Sequence, residues 1–190
     1  RDALVKAGVD LNVSQWAAWA GALTRRLSLI WGPPGTGKSQ TLRAVILGAV
    51  LDAQRSKKSL RLLVTANTYT AVDNVLFEVA RDLGALFAGQ KPYRVVRLQG
   101  TGRVEPTLLQ GQQLVENLVV TTTEARPDVL ALRSELESPS AQTILVVGAP
   151  NQQLYNLGIA TKNKRKLKPP PSPVRNWFDA VVIDEASRSE

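Results

Sequence analysis

Residues 32–39, GPPGTGKS, lie between a short apolar run, LSLIW (27–31), and a helix-like segment beginning QTLRAVILGAVLDAQ. Three glycines and two prolines argue against regular structure in the loop, while its flanks predict a buried strand before it and a helix after it. Glycines let the backbone curl so that successive N–H groups converge on a concave surface. A helix beginning near Lys38 adds its positive N-terminal end. That combination is a seat for phosphate. Gly32, Gly37, Lys38 and Ser39 complete the pattern G-x-x-x-x-G-K-[ST]. In this pattern Lys38 reaches the β- and γ-phosphates of a nucleotide, and the Ser39 hydroxyl ligates magnesium. Gly32, Pro33, Pro34, Gly35, Thr36 and Gly37, with Lys38, Ser39 and Gln40 at the helix start, form the expected nucleotide-binding set. The alternative is a Gly/Pro turn that only joins two core elements.

The rest of the chain supplies a frame for such a loop. Further strand candidates are 62–66, 94–98, 118–122, 143–148 and 179–183, and helices are expected over 38–53, 70–83 and roughly 124–137. Trp16, Ala17, Trp19, Ala20 and Leu23 recur at helical spacing within 14–26, with Ser14 as the expected N-cap. Buried apolar strands alternating with helices predict an α/β fold, a mostly parallel sheet with helices on both faces. The 190 residues, 44% hydrophobic, suffice for one domain with a real core. No apolar run approaches the roughly 18 residues a membrane span needs, and nothing resembles a signal peptide. No membrane partner is therefore expected, and the location is read as intracellular, cytoplasmic or nuclear. The chain begins at Arg1 and has no methionine, which suggests an internal piece of a longer protein.

Composition narrows the chemistry. Cysteine and histidine are absent, which excludes disulfides, thiolate zinc sites and iron–sulfur ligation within these residues. Any metal must be a hard cation on oxygen ligands. The net charge is +8 and unevenly spread: residues 1–150 hold 17 Lys/Arg against 12 Asp/Glu, whereas KNKRKLK (162–168) has five basic residues in seven. Such an imbalance favours polyanionic partners. Residues 162–175, with four prolines, are a loop by composition. The basic run has three open readings: a solvated loop, a phosphate-backbone contact through Lys162, Lys164 and Arg165, or a nuclear-import signal.

A phosphate loop alone does not separate kinases, GTPases and ATPase motors. The second signal is DAVVIDEAS, residues 179–187. Asp184 ends an apolar strand, where its carboxylate can hold magnesium opposite Ser39, often through water. Glu185 follows it, placed to orient and polarise the water attacking the γ-phosphate, so Glu185 and Lys38 are the expected catalytic pair. A GTPase would need Asn-Lys-x-Asp to read guanine; the nearest approach, NKRK at 163–166, lacks the aspartate. Upstream, Gln15 stands seventeen residues before Gly32. A carboxamide can pair with both the donor and the acceptor on adenine's edge, which would select ATP; an exposed helix-start residue is the plainer reading of that glutamine.

Together these stretches resemble superfamily 1 RNA/DNA helicases of the Upf1-like group, which includes the DNA2/NAM7 family. LNVSQWAAWAGALTRRLSLIWGPPGTGKSQTL is similar to that group's adenine-reading glutamine motif running into its first ATPase motif. LLVTANTYTAVDNVLFEVA (62–80) is similar to motif Ia, TILVVGAPNQQLYNL (143–157) more weakly to a later nucleic-acid-contacting motif, and FDAVVIDEAS to motif II. The similarity covers nearly the whole chain and is faint between 103 and 142. It implies a RecA-like P-loop NTPase fold and an ATP-driven motor that binds single-stranded DNA or RNA across two RecA-like domains. This chain would be most of the first, incomplete at its C-terminus, with the second as its partner. The cofactors implied are ATP and Mg2+. Gln15 would read adenine, Lys38 and Ser39 would hold phosphates and magnesium, Asp184 would hold magnesium, and Glu185 would be the catalytic base.

The loop after strand 62–66 would touch the nucleic-acid backbone. It reads Asn67, Thr68, Tyr69 where the family more often shows Pro-Ser-Asn. Tyr69 can stack on a base or pack on the following helix. Residues 103–142 would hold the group's inserted subdomain, here reduced. The resemblance also puts a strand that follows motif II between 27–31 and 179–183, so residues 1–190 alone would leave a gap beside 27–31. A fragment without the later motifs and arginine finger is expected to bind ATP better than it hydrolyses it. Two alternatives stay open: an AAA-type remodelling ATPase acting on protein, and a nucleotide-gated nucleic-acid-binding module.

Overall fold

The computed structural model describes residues 1–6, 8–33, 35–88, 90–101, 114–121, 126–159 and 176–184. In chain order these form α1 (Asp2–Lys6), α2 (Val13–Thr24), α3 (Lys38–Ser56), β1 (Leu60–Ala66), α4 (Tyr69–Leu86), β2 (Arg94–Gln99), β3 (Glu116–Val119), α5 (Pro127–Glu137), β4 (Ile144–Pro150), α6 (Asn151–Ile159) and β5 (Ala180–Ile183). The five strands make one sheet in the order β3-β2-β4-β1-β5, and every pairing is parallel. This is the α/β architecture of a RecA-like P-loop domain. The parallel ladder explains why β1, β2 and β4 read as largely apolar runs, since both of their faces are covered, whereas Val181 and Ile183 of the edge strand β5 are exposed.

The pleat divides the core in two. Leu62, Val64, Val95 and Val146 point to the face packed by α3 and α4, where Ala44, Leu47, Val75, Leu76 and Val79 meet them. Leu63, Val96, Leu98, Leu145 and Val147 point the other way, against Val129, Leu132, Leu136 and Leu157 of α5 and α6 and against Trp177. Each fully buried aliphatic side chain contributes about 1.5–3 kcal/mol. At Gly148 a Cβ would lie 2.4 Å from Leu76 Cδ2, so the glycine lets α4 sit directly on β4. α2 lies outside α3, joined through Trp19, whose indole Nε1 donates to Ala44 O at 3.0 Å.

The edge strands are tied in by charge. Arg61 of β1 donates to Asp179 from Nε (3.1 Å), Nη2 (2.8 Å) and its backbone N (2.8 Å). Its Nη1 reaches Leu136 O at 2.7 Å, joining β5, β1 and the end of α5. On the opposite edge Arg94 bridges Glu116 of β3 and Glu135 of α5; these carboxylates hold the guanidinium pKa above its ordinary value.

Three local expectations change. The strand expected at 27–31 does not form: the segment joins no ladder, and Leu27, Leu29 and Trp31 are 76%, 88% and 90% exposed. Among the described residues the sheet ends at β5, and no strand lies beside this apolar run to satisfy its backbone groups or cover its side chains. The N-cap of α2 is Asn12 and not Ser14. Asn12 Oδ1 accepts from Gln15 N at 2.9 Å while Gln15 Oε1 accepts from Asn12 N at 2.9 Å, a reciprocal capping box. Ser14 instead donates to Asn12 Oδ1 at 2.7 Å. Finally, α1 and α6 join the expected helices. The described part of 103–142 contributes β3 to the main sheet and α5 to its helix layer.

Candidate nucleotide and nucleic-acid site

The loop is built as its residues require. Gly35 and Gly37 adopt φ of 81° and 78°, left-handed values that favour glycine. Gly37 is the N-cap of α3, and a Cβ there would lie 2.4 Å from Gln15 Nε2. Lys38 folds back over the loop, and its Nζ donates to Gly32 O at 2.7 Å and Pro33 O at 2.9 Å. Thr36 Oγ1 donates to Pro33 O at 2.8 Å. Gln40 Nε2 donates to Asp10 O, anchoring the first turn of α3 to the segment before α2. Ser39 lies exposed on that turn. Pro34 lies outside the described residues.

Gln15 is engaged at both ends of its carboxamide. Its Oε1 closes the capping box, and its Nε2 donates to Gly37 O at 3.3 Å and Thr36 O at 3.4 Å. The glutamine therefore links the start of α2 to the loop, and reading adenine would require it to exchange these bonds.

Because all strands run in parallel, their C-terminal ends gather along one edge of the sheet, where open α/β sheets bind ligands. Asp184 stands there, one residue past β5, its backbone N bonded to Thr65 O at 3.0 Å. Glu185 lies outside the described residues, as do Lys162, Lys164 and Arg165 of the basic run. No ladder connects the loop segment 27–33 to β5 among the described residues, so the sheet does not bring Ser39 and Asp184 together.

At the ends of β1 and β4, Thr65 Oγ1 donates to Asn151 Oδ1 at 2.9 Å, and Asn151 Nδ2 donates to Asn67 Oδ1 at 3.1 Å. The start of α6 and the turn before α4 are thus held side by side. Thr68 caps α4 by accepting from Ala71 N at 3.2 Å, and Asn67 and Thr68 are both exposed. Tyr69 faces inward. Its hydroxyl accepts from Gly100 N at 2.9 Å, and the Arg97 guanidinium lies 5.4 Å from its ring centroid. Asn151 was not singled out in the sequence; the available signal was Pro-Asn directly after an apolar strand.

The donor chemistry fits MgATP. Two left-handed glycines, a loop-facing lysine and the start of a 19-residue helix meet in one turn. The Ser39 hydroxyl and Asp184 carboxylate are hard oxygen donors suited to magnesium, which needs few protein ligands when phosphates and water supply the rest.

A sequence profile of the AAA domain family matches residues 10–138, a span that holds Gln15, the 32–39 loop and Asn67–Tyr69. The chain belongs to this family. Its relatives place it among Upf1-like superfamily 1 helicases, within the N-terminal motor domain. It is 34% identical over 184 residues to an uncharacterized ATP-dependent helicase, MJ0104, of Methanocaldococcus jannaschii, covering 95% of this chain and 22% of that protein. Over 197 residues it is 29% identical to the ATP-dependent helicase upf1 of Schizosaccharomyces pombe, with 94% and 19% covered. The mouse DNA-binding protein SMUBP-2 is 26% identical over 200 residues, again with 94% and 19% covered. The chain spans about one fifth of the length of these relatives. No solved structure matches it. Among the described residues, no helix is long and apolar enough to cross a membrane.

Proposed function

We propose that this AAA domain binds MgATP on the 32–39 loop and, with a second RecA-like domain, drives movement along single-stranded DNA or RNA. The observation that supports it most directly is the loop itself, a glycine turn at the head of α3 with Lys38 Nζ folded onto its carbonyls. Those two bonds hold the ammonium over the turn, where a triphosphate would replace the carbonyl oxygens as its partner. Ser39 and Asp184 would hold magnesium, whose charge offsets that developing on the phosphates. Glu185 would accept the proton of the attacking water as its oxygen bonds to the γ-phosphorus and the bond to the β–γ bridging oxygen breaks.

The nucleic-acid half of the proposal rests on the exposed Asn67 and Thr68 beside Asn151, and on helicase and DNA-binding relatives. Neutral donors at two adjacent helix N-termini suit a phosphate backbone. The basic run with Lys162, Lys164 and Arg165 would add a salt-dependent contribution. Lys38→Ala is expected to abolish MgATP binding, measured by titration calorimetry on a folded variant. Unchanged affinity would sink the assignment of the loop. In the whole protein, single-stranded oligonucleotide is expected to raise the ATPase rate; stimulation by protein and not by oligonucleotide would instead favour a remodelling ATPase.

A further inference from the structure

β2 contains a charged residue where the pleat calls for an aliphatic one. Arg97 is 0% exposed and shares the α4 face of the sheet with Val95. Its Nε and Nη2 donate to the two carboxylate oxygens of Asp73 at 2.6 and 3.0 Å, and its Nη1 donates to Gln99 Oε1. Asp73 and Gln99 are themselves buried. Burying such a pair is expensive in desolvation, and apolar residues of similar volume would hold the layer together as well or better. What the pair adds is geometry. A bidentate guanidinium–carboxylate contact fixes both rotation and distance.

The element it fixes is the first turn of α4. Tyr69 and Asp73 are four residues apart on that helix and so share a face. The Arg97 guanidinium engages both, Asp73 by its fork and Tyr69 by its ring at 5.4 Å. The Tyr69 hydroxyl then accepts from Gly100 N, just past β2. β2 therefore holds α4 at two points, immediately after the exposed Asn67 and Thr68.

We propose that Arg97 and Asp73 are positioning residues for the Asn67–Tyr69 turn, holding it in the arrangement that receives a single-stranded backbone. This rests on the nucleic-acid role proposed above. Neither residue touches the strand. They spare the turn the ordering cost that binding would otherwise incur.

The test compares the wild-type protein with the double variant Arg97→Met/Asp73→Leu, which removes both charges and keeps apolar volume. The measurements are affinity for a short fluorescein-labelled oligothymidylate by anisotropy at several salt concentrations, MgATP affinity by calorimetry, and melting temperature. The expected result is a melting temperature equal or higher, unchanged MgATP affinity, and oligothymidylate affinity lower by about tenfold. The salt slope should not change, because no phosphate-contacting cation is lost. Equal oligothymidylate affinity in the folded double variant overturns the positioning role alone, and a flattened slope overturns it by making Arg97 a direct contact. Absence of binding by the wild type overturns the nucleic-acid reading and this inference with it. If the double variant fails to fold, Arg97→Lys decides: the charge stays, the two-pronged contact with Asp73 is lost, and unchanged oligothymidylate affinity overturns the proposal.

Discussion

LSLIW at 27–31 and ILVVGAP at 144–150 are similar as sequences, short and apolar with turn residues directly after them. β4 has strands on both sides and every residue buried. Residues 27–31 join no ladder and present Leu27, Leu29 and Trp31 to solvent. Both lead to a helix at a candidate site, β4 to α6 and 27–31 through the 32–39 loop to α3. The difference teaches that apolar content makes a strand possible and a neighbour makes it real. A parallel strand has no local hydrogen bonds of its own, so without a partner nothing offsets the cost of ordering it. Among the described residues the loop is held by α3, Gln15 and Lys38 and not by the sheet.

The largest test of this contrast is a buried charge. Val146→Asp in β4 places a carboxylate between two layers and is expected to cost about 4 kcal/mol or more. Leu29→Asp is expected to change stability by no more than about 0.5 kcal/mol. Urea denaturation of both variants measures the difference. A comparable loss at Leu29 would break the comparison by showing that 27–31 is covered in solution.

A smaller effect is expected at the link between α2 and the loop. Gln15→Ala removes half of the capping box and both bonds to the loop carbonyls, a loss of about 1 kcal/mol. Hydrogen exchange should sharpen the contrast: amides of the loop and first turn of α3 should exchange faster in the variant, while those of β4 keep the protection of global unfolding. Unaltered exchange in the loop would mean that Gln15 does not brace it.

The smallest effect belongs to the strand at the sheet's end. Hydrogen bonds from Arg61 hold the Asp179 carboxyl below its ordinary range, against the opposing influence of burial. Because the folded pKa is the lower one, the stabilisation is complete above the unfolded value of about 4 and is lost as pH falls through the folded value. Asp179 is 41% exposed on its side chain, so the contribution is at most about 1 kcal/mol. Asp179→Asn should reduce the acid-range slope of stability against pH and leave the slope near neutrality unchanged. An unaltered acid slope would remove this pair from the edge's stability.

Much of the fold was legible because its signals are local. Five of the six expected strands lie within a few residues of β1 to β5, and the four expected helices correspond to α2 to α5. Periodicity and apolar runs report burial directly. The loop was legible for the same reason, since glycine, lysine and serine act through backbone freedom and charge within eight consecutive residues. Ser14 misled because Asn12, two positions earlier, reaches Gln15 N and leaves the serine as its donor. α6 was missed because nine residues, among them Asn151, Gln152, Gln153 and Asn156, give little helical periodicity. Arg97 and Asp73 carried a faint signal, a charge inside VVRLQ and another inside AVDNVLF, but neither names its partner.

The sequence by itself determined that the chain is a parallel α/β domain with a glycine turn at the head of a helix, because alternating element types and a glycine-lysine loop allow few other solutions. Only the tertiary structure decided which apolar run became a strand, that Asn151 meets Asn67, and that Arg97 of β2 grips the first turn of α4. Those outcomes depend on groups 24 to 86 residues apart along the chain meeting in space. Hydrogen bonds and ion pairs act over a few ångströms between atoms, whatever the distance between their residues in the sequence, so no local pattern encodes them.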